Sequence, residues 1–195
     1  MITMKGYKAF NSDLTCLGYQ YQENQLHVYE GTPVLCESGF HFCTDLQDVL
    51  KYYSESTIKV YEIEASGIIT NPEKDCSKRS CSELRLVKEL SLEDVKNSIT
   101  KSEHAYNWAL WIGDREHMKQ FITESKWAYY WARYFGDIEY MKQFINDSEY
   151  AYCWAKNIGD REHMKQFITD SEDAYYWINF INPTDEPYFK EKGIL

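Results

Sequence analysis

The sequence predicts an α+β chain: a small, mixed, β-rich N-terminal domain followed by an all-α array of short helical-hairpin repeats. Three observations carry that prediction. The first ninety residues hold aromatic and β-branched runs separated by Gly, Asn and Pro. From residue 91 the pattern changes to a period of 23: GDREHMKQFIT fills 113–123 and 159–169, with GDIEYMKQFIN at 136–146. Each row of that period holds two helix-length stretches with a start and a stop signal. The expected organisation is one domain over 1–90, about four repeats over 91–182, and a cap or tail over 183–195.

The N-terminal elements follow from local pattern. KGYKAF, GFHFC and TIKVYEIEASGII read as strands. TDLQDVLKYY (44–53) reads as a helix capped by Thr44 or Asp45, with Leu46, Val49, Leu50 and Tyr53 on one face. NPEKDCSKRSC (71–81) reads as a loop, and SELRLVKEL (82–90) as the last strand.

The array is regular enough to be read in columns. Ser102, Ser125, Ser148 and Ser171 stand where an N-cap belongs. Ala105, Trp108, Ala109 and Ile112 fall at i, i+3, i+4 and i+7, one helical face, and the later rows repeat it. Gly113, Gly136 and Gly159 stop the first helix in a position suited to the left-handed conformation. Asp114, Asp137 and Asp160 then cap a second helix whose buried face starts from Met118, Phe121 and Ile122. Helices this short need stacking to persist. Stepping back by 23 makes SLEDVKNSITK (91–101) the second helix of a zeroth repeat.

Hydrophobic residues at 44% and aromatics at 16% describe a folded chain. Its net charge is −10, with 9 Lys/Arg against 13 Asp/Glu before residue 91 and 12 against 18 after it, so both parts are acidic. That field repels phosphate and excludes direct nucleic-acid binding, while suiting a basic protein surface such as the groove of a nucleic-acid enzyme. The N-terminus has no signal-like apolar core and no run of 18 apolar residues occurs, so no membrane association and a cytoplasmic location in a host cell are expected. The six Cys are then expected as thiols.

No metal or cofactor is expected. Cys36 and Cys43 have six residues between them and Cys76 and Cys81 have four, spacings that favour free thiols over a Cys₄ zinc knuckle. His117 and His163 share a column with Tyr140, and REHM lacks the two-histidine spacing of a helical zinc site, so an aromatic-sized packing role is expected there. Lys119, Lys142 and Lys165 each follow a Glu by three residues, which suits local ion pairs. The expected partner-binding residues lie in the variable columns: Trp111, Tyr130 and Tyr134, off the Ala/Trp face, either form contact points or pack on the next repeat. Glu103, Glu149 and Asp173 supply negative charge on the same set of helices.

Two resemblances add to this reading. The YKAF opening (7–10), the CESGFHFC centre (36–43) and the VYEIEASG strand (60–67) resemble an uncharacterised small domain of phage and prophage proteins, which implies a mobile-element setting over about residues 4–90. The Lys-Gly-Tyr strand, the Gly-Phe-His-Phe-Cys-Thr strand and a late Glu are also similar to ADP-ribosyltransferase-like folds. That likeness implies NAD as cofactor, with His41 or Thr44 orienting the nicotinamide ribose and Glu89 or Glu83 acting at the reacting carbon. It departs from the family pattern in lacking a first-strand Arg or His, and Glu62-Ile63-Glu64 comes too early in the order. The expected function is a phage-encoded acidic protein that inhibits a host defence factor, for example a CRISPR nuclease, by occupying a basic surface. The alternative is an NAD-using transferase with the repeats as its target-recognition module.

Overall fold

The computed structural model describes residues 3–52, 58–70 and 76–195. The chain is α+β and divides into two compact units, Met1–Met118 and Lys119–Leu195.

Among its described residues the first unit has seven strands: β1 (Met4–Phe10), β2 (Thr15–Cys16), β3 (Tyr19–Gln20), β4 (Leu26–Val28), β5 (Phe40–Cys43), β6 (Lys59–Ile69) and β7 (Lys78–Leu90). β2 and β3 form a separate hairpin whose turn residues Leu17 and Gly18 both have positive φ. The main sheet runs β4-β7-β5-β1-β6, and β6 also pairs with β7, so the antiparallel sheet closes on itself. Two register shifts between β6 and β7 supply the bends that closure requires. Phe10, Tyr21, Phe40, Phe42, Tyr61 and Ile63 fill the interior. Phe10 packs edge-on against Tyr21 and Tyr61, with ring centroids 4.9 and 5.7 Å away. Gly6 permits the close approach of β1 to β5, since a Cβ there would stand 2.3 Å from the Phe42 ring.

The strand expectations hold, and β7 begins earlier than expected: residues 78–81 of the supposed loop are its first part, paired with β5. The supposed helix at 44–53 is a 3₁₀ helix, Leu46–Lys51, capped by the Asp45 carboxylate on the Gln47 N–H. Tyr53 lies outside the described residues, as do 71–75 of the supposed loop. The 3₁₀ helix also buries Gln47 and Asp48, which an apolar-face pattern does not foresee.

Those polar residues meet the start of the helical rows. α1 (Leu92–Asn97) is the zeroth repeat's helix, with a Ser91–Asp94 capping box and buried Val95. α2 (Ser102–Trp111) places His104, fully buried, with Nε2 2.8 Å from Asp48 Oδ1. Lys51 bridges Asp48 and Glu103 at 3.3 and 3.1 Å, and the Ser77 hydroxyl donates to Asp48. α3 (Arg115–Met118) closes the unit.

The second unit continues the rows with α4 (Ser125–Phe135), α5 (Ile138–Lys142), α6 (Ser148–Asn157), α7 (Arg161–Lys165), α8 (Ser171–Phe180) and α9 (Glu186–Glu191). Trp131, Trp154 and Trp177 are fully buried, as are Ala128, Ala151, Ala174, Met141 and Met164. The column chemistry differs from expectation at two places. Each repeat Ser is the first helical residue, not the cap, and the cap position falls to Glu124, Asp147 and Asp170. The freed hydroxyl reaches the end of its own row's second helix instead: Ser125 Oγ donates to the Phe144 carbonyl and accepts from the Asn146 N–H, both at 3.0 Å. Ser148 Oγ likewise accepts from the Thr169 N–H.

Asp137 and Asp160 make no side-chain cap either; both are left-handed, with φ of 55° and 54°. Their carboxylates receive the Lys of the preceding row, Lys119 to Asp137 and Lys142 to Asp160, and Lys96 meets Asp114 in the same way within the first unit. The Lys column therefore joins row to row, besides pairing locally with Glu139 and Glu162. At the end of the array Asp185 does this work two residues late. It receives Lys165 at 3.0 Å and the Trp177 indole N–H at 2.8 Å, while fully buried Phe189 packs edge-on against Trp177.

Candidate functional site

The predicted contact residues separate on the structure. Trp111, at the end of α2, is exposed, and Glu103 on the same helix is engaged by Lys51. Tyr130 on α4 is half-buried, tilted against Tyr129 and edge-on to Tyr150, whereas Tyr134 is 66% exposed. Glu149 and Asp173 come together.

They do so in a cleft of about 500 Å³ between α6 and α8, which Tyr152, Asp170, Glu172 and Tyr176 also line. The helix periodicity explains the convergence. Glu149 and Tyr152 stand three apart on α6, as do Asp173 and Tyr176 on α8, so each helix presents one carboxylate and one ring to the same side. The Tyr152 and Tyr176 ring centroids are 6.0 Å apart, and Tyr176 stacks in turn on exposed Phe180 at 6.2 Å. Lys156 Nζ lies 5.3 Å from the Tyr152 ring centroid and 5.5 Å from that of Phe180.

The two aspartates of the cleft are unlike. Burial opposes ionisation of Asp170, but hydrogen bonds from the Asp173 N–H (2.9 Å) and from Ser148 outweigh it and hold its carboxyl below the usual value. Burial raises Asp173, and the neighbouring Asp170 and Glu149 charges add to that, pushing it up to about 6. A cleft with four carboxylates and two tyrosine rings is chemically a receptor for a cationic side chain. Sequence reasoning missed Tyr152, Asp170 and Tyr176. Tyr152 stands in a constant column that reads as scaffold; the usable signal was the density of acids at 149, 170, 172 and 173.

The residues expected for transferase chemistry are dispersed. His41, on β5, accepts the Cys36 N–H at Nε2 (2.9 Å), so that nitrogen is occupied in holding a turn. Thr44 donates to the Ser77 carbonyl through both its N–H and its hydroxyl. Glu89 pairs with Lys59 at 3.5 Å and lies 3.0 Å from the Tyr61 hydroxyl. The strand position opposite His41 is Ser80, and Glu89 follows it by nine residues, roughly 30 Å of strand. Glu83 accepts from the Ser66 hydroxyl. Among the described residues no group of three or more His, Cys, Asp or Glu is arranged to hold a metal, and no helix is long and apolar enough to cross a membrane.

Fold and site together define an α+β chain in which a closed antiparallel sheet precedes helical-hairpin rows with an acidic, aromatic cleft. Residues 4–98 match the family model described as Domain of unknown function (DUF7666), an uncharacterised small domain that takes in the whole sheet and α1. That match brings with it neither a phage setting nor a transferase activity. Comparison with curated proteins and with solved structures gives no match.

Proposed function

We propose that the protein is a binding module whose α6–α8 cleft takes a lysine or arginine side chain of a basic protein partner. The observation that carries this is the meeting of Glu149 and Asp173, from two successive rows, with Tyr152 and Tyr176 in one cleft. Asp173, raised to about 6 by burial first and by the Asp170 and Glu149 charges besides, is relieved by an arriving cation, and the rings contribute further attraction. The net charge of −10 steers such a partner toward the chain. The finer reading extends through the setting that the CESGFHFC resemblance implies: the partner is a host defence factor with a basic nucleic-acid groove, and occupation of that groove inhibits it.

Affinity purification from a bacterial lysate, in parallel with titration of a labelled arginine-rich peptide, tests the reading. The wild-type protein is expected to bind the peptide and to retain a stoichiometric basic partner that salt displaces. The double variant Glu149→Gln/Asp173→Asn is expected to bind roughly tenfold more weakly, the sum of two exposed ion pairs at about 0.7 kcal/mol each. Equal affinity of variant and wild type overturns the assignment to this cleft.

A further inference from the structure

Lys8 of β1 is a charged-type side chain in an unusual place. It is 7% exposed, and its Nζ donates to the His41 carbonyl (2.8 Å) and to Cys16 Sγ (3.4 Å). The Phe10 and Tyr21 rings lie 5.5 and 5.4 Å away. No carboxylate among the described residues forms an ion pair with it, although a buried amine ordinarily acquires one. Burial pushes Lys8 below the usual lysine range, against the pull of the Cys16, Cys81 and Cys43 thiols.

Lys8 opens on a cavity of about 460 Å³ within the first unit, a size typical of small-molecule sites. Buried Phe42 and Val49 give it an apolar floor, and Tyr52 and Lys78 stand at its exposed mouth, with Lys78 Nζ 4.4 Å from the Tyr52 ring centroid. The chain carries 31 Asp and Glu, yet none is among the described residues that line this cavity. Among the described residues neither Lys8 nor Lys78 has a carboxylate partner, and the two stand above apolar and aromatic walls in a site suited to an anion. His41, also on the wall, has its Nε2 committed to the Cys36 amide and supplies no negative charge.

We infer that this cavity binds a small organic anion, a carboxylate or phosphate on a flat apolar body. Its charged end meets Lys8 and Lys78, and its body lies against Phe42, Val49 and Tyr52. The site is independent of the α6–α8 cleft, so failure of either assignment leaves the other standing.

The test is ligand titration of the full chain, followed by amide NMR of β1 and β5, with benzoate and phenyl phosphate as probes and benzamide and benzyl alcohol as uncharged controls. At least one charged probe is expected to bind at millimolar concentration and to shift β1 and β5 signals, with both controls silent. Lys8→Met is expected to weaken that binding by about tenfold or more, as loss of a buried charge-assisted bond does. Lys78→Gln, a change at the mouth that leaves the interior intact, is expected to weaken it by about threefold. Binding of the controls as strong as that of the charged probes overturns the inference, as do silence of both charged probes and unchanged affinity in both variants.

Discussion

Asp173 and His104 occupy corresponding positions in the fourth and first rows, 69 residues or three periods apart, and burial perturbs both in ways that pH can read. Asp173, raised to about 6, must lose its proton before it can pair with a cation. Cationic peptide binding is therefore expected to be full above pH 7 and to fall as pH drops through 6; Asp173→Asn is expected to flatten that step in a peptide titration over pH 5–8. His104 behaves as the converse case. Burial lowers its pKa against the attraction of Asp48, so the folded chain holds a neutral imidazole that the unfolded chain protonates near pH 6.5. For Asp48, burial opposes ionisation, but the Ser77 hydroxyl and the Lys51 charge outweigh it and hold the carboxyl below the usual aspartate value. The share of stability that His104 and Asp48 contribute is thus expected to be complete above about pH 6.5, to decline as pH falls below it, and to decline again below the ordinary aspartate value near 3.9. Urea midpoints for wild type and His104→Gln between pH 5 and 7.5 check this: only the wild type should show the upper step.

At the scale of elements, stability is a matter of ties within and between rows. A Ser at the first helical position joins α4 to the end of its own row through two bonds, and a Lys on each second helix crosses to the Asp that opens the second helix of the following row. Ser125→Ala removes the bonds to the Asn146 N–H and the Phe144 carbonyl and is expected to cost about 1–2 kcal/mol in chemical denaturation, the net worth of two hydrogen bonds. Gly136 presents a different constraint. Its φ is 88° and ψ −131°, and a Cβ there would meet nothing within 4 Å, so the backbone alone resists substitution. Gly136→Ala is expected to cost about 1–3 kcal/mol with no change in packing. A D-alanine at that position, introduced by ligation, is expected to restore the loss.

For the whole molecule, the last row decides whether the array ends in a closed surface. Fully buried Phe189 and buried Asp185 cover Trp177 and engage Lys165, as a terminal repeat must if the stack is not to expose its interior. Removal of residues 183–195 is expected to uncover the Trp177 indole, lower the thermal midpoint and promote self-association, which tryptophan emission and size-exclusion chromatography would record. The acidic charge acts at this scale too. Raising ionic strength from 0.15 M to 1 M shortens the screening length from about 8 to 3 Å, so capture of a basic partner is expected to weaken steeply, while a ligand inside the Lys8 cavity is affected less.

Much of this architecture is local and therefore written in the chain itself. The 23-residue period, the Ala/Trp face, the Gly stops and the alternating strands follow from side-chain size and backbone preference, which act over a few residues. The zeroth repeat was legible for the same reason, from Ser91, Val95 and Ile99 alone. What the tertiary structure decided is where polar groups find partners. The repeat Ser reads as a cap and serves as a staple, because its true partners lie about 20 residues away at the far end of its own row. Glu149 and Asp173 become one cleft only when α6 and α8 stack. Lys8 reads as an ordinary strand lysine. Closure of the sheet brings Cys16 and His41 to its amine and takes water away, and no local pattern encodes an environment assembled from three strands.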